Sequence, residues 1–292
     1  MGETTKLLLV CLLCMGVAVG CGVDKDDVGG KGGGAGTPDM STPHKEPPPT
    51  LTLDLGKGVK MEFVYIRPGK FTMGSDIDPE WGWQGVEKPK HEVTITKGFY
   101  LGKYEVTQAQ YEAVIGSNPS EFYGEKLPVE KVSWKAADEF CRKVSEKTRR
   151  GVRLPTEAEW EFACRAGTTT ERSYGSDSAK LGEYAWYNEN SGRDSHPVGQ
   201  KKPNPWGLYD MYGNVWEWVA DWYGADYYSS SPSKDPTGPA KGSHRVLRGG
   251  AWRYVEHFCR SAARHHKHQS HGNFDKGFRA AVSPVLTEVD SR

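Results

Sequence analysis

The sequence has no excess of either charge: 38 Lys and Arg stand against 38 Asp and Glu in 292 residues. That balance excludes a generally basic nucleic-acid binder and a polyanionic tail. Beyond the first twenty residues no apolar run is long enough to cross a bilayer, so membrane contact is expected only at the start. A cysteine framework is lacking as well. Of six Cys, three (Cys11, Cys14, Cys21) fall near the N-terminus. The remaining Cys141, Cys164 and Cys259 are odd in number and widely spaced, which fits neither a disulfide scaffold nor a zinc site. What is abundant is Gly (35), Pro (18) and Trp (10). The Gly and Pro follow no collagen period and predict a loop-rich chain, and the aromatics exclude disorder for most of it.

Residues Leu7–Val19 form an apolar run of signal-peptide length that ends in small residues before Cys21. The segment resembles a bacterial lipoprotein signal, with residues 1–20 removed and Cys21 lipidated; an ordinary signal peptide or membrane stub is the alternative. Residues 21–50 are Gly-rich, then Pro-rich and almost free of apolar side chains, as a flexible tether is. Residues 51–292 are then expected to form one domain, lipid-anchored at a bacterial cell surface or outer membrane.

Extended segments are expected at Leu51–Leu55, Met61–Ile66, His91–Thr96, Phe99–Tyr104, Arg245–Arg248 and Gly277–Ser283. Three helices carry end signals. Thr107-Gln-Ala-Gln110 and Thr156-Glu-Ala-Glu159 are capping boxes, and Ser133 precedes a helical apolar stripe of Ala136, Ala137, Phe140, Cys141 and Val144. Between Gly167 and Arg245 there is almost no periodicity, so the aromatics there must pack the loops from inside.

The stretches RLPTEAEWE (Arg153–Glu161), NPWGLYDMYGNVWEW (Asn204–Trp218), RVLRGG (Arg245–Gly250), RSAAR (Arg260–Arg264) and GFR (Gly277–Arg279), with MGS at Met73 and EVT at Glu105, occur in that order. Together they resemble the sulfatase-modifying-factor family, which includes the formylglycine-generating enzymes, over about residues 58 to 284. The resemblance implies an α+β chain with that family's variant of the C-type lectin fold: loop-rich, with a small twisted antiparallel sheet and few helices. Asp210, Glu217 and Asp221 crowd the turn at Gly213-Asn214 and offer hard oxygen donors that suit Ca²⁺. The resemblance implies a structural calcium held by the Asp210 and Glu217 side chains and the Gly213 and Val215 carbonyls. Pairing of these acids with neighbouring Arg is the alternative.

The resemblance also implies an activity, oxidation of a substrate cysteine by two cysteines that hold copper. Their positions are occupied here by Glu256 and Ser261. A carboxylate and a hydroxyl do not replace thiolates as Cu(I) ligands, so no copper is expected; Cys259 reads as a buried residue on a strand. An exported oxidoreductase of the formylglycine-generating or non-haem iron type is the alternative function. His257, His265, His266, His268 and His271 cluster within fifteen residues, but on a loop or strand they form no fixed metal-binding face.

Trp252–Asp275 is dominated by His, Tyr, Phe, Ser, Asp, Gly and Asn, the set produced when adenines of AAC codons are randomised. This resembles the variable proteins of diversity-generating retroelements, in particular the lipid-anchored spirochaete kind. In these a C-terminal variable region, here about 248–279, is displayed on an invariant scaffold; Glu256, Lys267 and Gln269 lie outside that codon set. The expected ligand-binding residues are Trp252, Arg253, Tyr254, Glu256, His257, Phe258, His265, His266, His268, His271 and Phe274, types that suit an adaptable interface. Nine Lys and Arg against two acids between Lys241 and Ala281 give this region a local balance of +7. Arg248, Arg260, Arg264 and Arg279 are expected to pair with the acids around Asp210–Asp226. The reading is a non-catalytic binding lipoprotein whose partner is a protein or other macromolecule, and not nucleic acid.

Overall fold

The computed structural model describes residues 47–77 and 86–284; the signal segment, Cys21 and most of the tether lie outside the described residues. Just before the expected boundary, Tyr100 Oη donates to the Pro48 carbonyl and the Tyr65 amide to that of Pro49. A five-stranded antiparallel sheet follows from alternating burial: β1 (Thr50–Gly56), β2 (Val59–Ile66), β5 (Phe99–Gly102), β11 (Ala281–Val282) and β6 (Val152–Arg153), in that spatial order. β3 (Gly69–Met73) and β4 (His91–Ile95) form a separate antiparallel pair. The third sheet has the order β10 (Lys276–Phe278), β7 (Trp216–Trp222), β8 (His244–Arg248) and β9 (Arg264–His268), with β10 and β7 parallel.

The three helices start at their expected caps. Both capping boxes are complete in α1 (Gln108–Ile115) and α3 (Glu157–Arg165), and Ser133 caps α2 (Trp134–Thr148). Several elements depart from the sequence reading: β3, β6 and β9 were not among the expected strands. β7 lies inside the stretch read as aperiodic: nearly every side chain of WEWVADW is buried, so it has no polar-out alternation to read. The last expected strand is split into β10 and β11, because Arg279 turns inward to pair with Glu217.

α3 organises the interior. Its capping box sets Glu157 and Glu161 four residues apart on one face, and strands of the third sheet bring arginines to them. Arg264 binds Glu157 with both nitrogens at 2.6 and 2.8 Å; Arg248 binds Glu161 and also donates to the Ser261, Ala262 and Ala263 carbonyls. Arg165 takes the other side of Glu161. Burial alone would raise Glu161, but Arg165 and Arg248 outweigh it and hold the carboxyl below its usual range.

These pairs correct the expected ones. Only Arg279 meets an acid of the Asp210–Asp226 stretch; Arg248 and Arg264 pair with α3, and Arg260 with Glu87. The local +7 is therefore not a surface field, since Arg248, Arg260, Arg264, Lys276 and Arg279 are all buried against carboxylates.

Candidate functional site

The RGG motif opens the C-terminal segment because its backbone needs glycine. Gly250 sits at φ +83, where a Cβ would lie 2.8 Å from Cys259 Sγ and 2.9 Å from the Phe258 carbonyl. From there the chain is pinned from below. The Trp252 amide donates to the Asn214 carbonyl, Ser191 Oγ to the Trp252 carbonyl, the Asn188 amide to the Tyr254 carbonyl, and Arg172 to the Glu256 and Cys259 carbonyls. The result is a fixed backbone with changeable side chains, the arrangement a displayed binding loop needs.

Of the sequence-predicted residues, Arg253, Glu256, His268 and His271 are exposed. Tyr254, His257, Phe258, His266 and Phe274 are half-buried. Two are not surface residues, which corrects the reading. Trp252 is buried against Phe122 and Phe274, and His265 is buried beside Trp216, 5.3 Å between ring centroids. Burial drives the His265 imidazole far below its ordinary pKa, so it is a neutral core ring.

The accessible residues divide between two patches. In the first, Tyr254 and Phe258 meet edge-on at 5.4 Å above the floor ring of Trp216, with Arg253 and Phe274 alongside. In the second, at the open end of the β8–β9 pair, His266 stacks on Tyr223 at 3.9 Å and meets the edge of His244 at 5.2 Å. Burial, and secondarily the His244 charge, push His266 down to about 4. Phe122, Tyr123, Tyr223 and His244 were not legible as site residues, because they lie outside the segment 252–275 and only the fold brings them to it.

The two positions that the sequence reading took for the family's thiol pair differ in environment. Glu256 is exposed, whereas Ser261 is fully buried, 3.0 Å from Tyr212 Oη and 3.6 Å from Cys164 Sγ. Cys259 is buried after a single helical turn rather than on a strand. Burial raises the Cys164 thiol to about 11 and Cys259 to about 12, so both stay protonated and neither offers a thiolate. Among the described residues no group of three or more His, Cys, Asp or Glu side chains converges as a metal centre.

At the turn assigned to calcium, Glu105, Asp210 and Glu217 crowd around Arg279, and Asp210 Oδ1 is buried with no hydrogen-bond partner. Burial, with Glu217 adding to it, raises Asp210 to about 6 against the pull of the Gly199 amide and Arg279. Both Glu217 oxygens already accept from Arg279, and one also from Trp160 Nε1. Asp221 is not part of this turn: it accepts from the Glu157 amide at the start of α3. Glu105, which the sequence reading left out, binds the Asn214 side chain and the Val215 amide here.

Residues 56–284 match the sulfatase-modifying factor enzyme 1-like domain. The chain belongs to the sulfatase-modifying factor family. Within it, the chain is 38% identical over 175 residues to the formylglycine-generating enzyme of Streptomyces coelicolor, covering 55% of this chain and 54% of that one. It is 35% identical over 248 residues to serine/threonine-protein kinase pkn1 of Chlamydia caviae, covering 75% of this chain but only 38% of that protein. Among solved structures, Treponema denticola variable protein 1 superposes with a TM-score of 0.75 at 33% identity, covering 82% of this chain and all of that one. PvdO of Pseudomonas aeruginosa gives 0.72 at 30% identity with the same coverage. The α+β, loop-rich fold expected for the family is the fold observed, with one parallel strand pair added. Resemblance to a variable protein holds along with membership of the enzyme family.

Proposed function

We propose that this family member is a ligand-binding protein in which a non-catalytic fold presents a diversified C-terminal face, about residues 253–274, to a protein or other macromolecular partner. The observation that carries the reading is the contrast between a backbone pinned by buried donors and the exposed or half-exposed Arg, Tyr, Phe and His side chains along it. Likeness to a variable protein supports it. The oxidoreductase reading draws on the enzyme relatives, but this chain has a carboxylate and a hydroxyl at the thiol positions and keeps its remaining thiols protonated. The experiment is to compare ligand capture by the intact chain and by a chain whose exposed face is truncated to alanine.

Calcium is part of the proposal. Glu217 is paired with Arg279, but Glu105 and Asp210 are buried beside that pair and Asp210 Oδ1 is uncommitted, an oxygen donor that suits a bound cation. Asp210 and Glu217, with the Gly213 and Val215 carbonyls, would hold it; the ion would supply charge balance under the β7 turn, not chemistry. Calcium at about 100 times its Kd is expected to add about 2.7 kcal/mol of stability. Asp210→Asn should abolish the resulting rise in Tm, and a chain whose Tm ignores calcium would remove the ion from the account.

Anchoring through a lipid on Cys21, at a cell surface or outer membrane, is proposed from the apolar run and small residues that precede it. Mass spectrometry of the mature N-terminal peptide checks it: the expected product starts at an acylated Cys21, and an unmodified Cys21 contradicts the anchor.

A further inference from the structure

Arg253 differs from the other arginines of its segment. Arg248, Arg260, Arg264 and Arg279 are buried in ion pairs, and Arg245 is sandwiched between the Trp134 and Trp222 rings while donating to the Ala220 carbonyl. Arg253 is exposed. Its guanidinium lies 5.0 Å from the Phe274 ring centroid and 5.9 Å from that of Trp252, and it has no hydrogen bond or ion pair with any described residue.

A guanidinium resting on aromatic rings is oriented without spending its donors. Its planar fork stays available for a carboxylate, and the pairing is strong because both partners are charged and can bond twice. The surroundings narrow the class of partner. Phe122 packs edge-on against Trp252 at 5.8 Å, and the next residue, Tyr123, is 78% exposed; Val255, two residues after Arg253, is 47% exposed. These call for apolar side chains opposite them. Glu256 is exposed three residues from Arg253, so a uniform polyanion along this stretch would meet a like charge. A protein segment sets one acid against Arg253 and none against Glu256.

We propose that Arg253 is the polar anchor of the C-terminal face and takes a single carboxylate from a protein partner whose apolar residues cover Tyr123 and Val255. The inference rests on the reading of this face as a binding surface. It is tested by panning a random displayed-peptide library on the full chain and on the variants Arg253→Gln, Arg253→Lys and Tyr254→Ala with Phe258→Ala. Peptides selected on the natural chain are expected to share an Asp or Glu beside an apolar residue. Their affinity should fall at least about tenfold on Arg253→Gln, less on Arg253→Lys, and by a similar factor when the peptide acid becomes an amide. Melting curves of the variants confirm that the fold survives.

Selected peptides without a shared acid, or with equal affinity for Arg253→Gln, overturn the anchor. If those peptides still lose binding on the Tyr254 and Phe258 variant, the binding face stands and only Arg253 fails. Recovery of no peptide sensitive to either change removes both readings. Binding of heparin that depends on Arg253, with no acidic peptide selected, overturns the assignment to a protein partner.

Discussion

Arg248→Met is expected to destabilise the fold by about 3–5 kcal/mol, a large part of the roughly 5–15 kcal/mol available to a domain. The side chain is fully buried, and four of its contacts are lost together: the Glu161 carboxylate and the carbonyls of Ser261, Ala262 and Ala263. Arg165 would still face Glu161, which keeps the loss from being larger. Urea unfolding measures the effect through the midpoint at constant slope. Arg253→Gln, a few residues away but exposed, is expected to stay within about 0.5 kcal/mol. A cost below about 1 kcal/mol for Arg248→Met would mean that the α3 hub does not hold the C-terminal segment in place.

Truncating the exposed face should have the opposite profile. With Arg253, Tyr254, His257, Phe258 and His271 changed to alanine, ligand capture should fall more than about 100-fold, since one or two interface anchors of about 2 kcal/mol or more each give that loss. Stability should drop by only about 1–3 kcal/mol, most of it from Tyr254 and Phe258, which lean on Trp216. Trp252→Ala and His265→Ala belong to the other category. Both side chains are buried, so their removal should unfold the segment rather than report on binding. Calorimetric melting alongside binding separates the two outcomes, and retained capture by the truncated chain would place the ligand elsewhere.

The contrast between these variants marks what was legible before the fold was known. Caps were legible, because Thr107, Ser133 and Thr156 act within three residues of themselves. β9 was not. Its residues RHHKH read as exposed, on a loop or strand, yet Arg264 and His265 are buried, one because Glu157 neutralises it and the other because Trp216 covers it. A polar residue whose partner lies tens of positions away, or 107 as for Arg264 and Glu157, leaves no trace in a local pattern. The same limit hid the Tyr223–His266 stack and turned an apparent basic surface into an interior network.

Hydrogen bonds to the carbonyls of Trp252, Tyr254, Glu256 and Cys259 fix the path of the face through its backbone and not through its side chains. That division would make diversification tolerable: exchange at Tyr254 or His268 leaves every ion pair of the α3 hub intact, whereas exchange at Arg264 breaks one of them and exchange at Arg260 breaks its pair with Glu87.

The central claim, a variable face on an invariant frame, is tested most directly by sequencing the 3′ coding region and its downstream DNA in independent isolates. The account predicts differences concentrated at codons 254, 257, 258, 266, 268, 271 and 274, matching adenines of a downstream near-copy, with codons 248, 260, 261 and 264 unchanged. Identical sequences in every isolate, or differences as frequent at the buried codons as at the accessible ones, would contradict it.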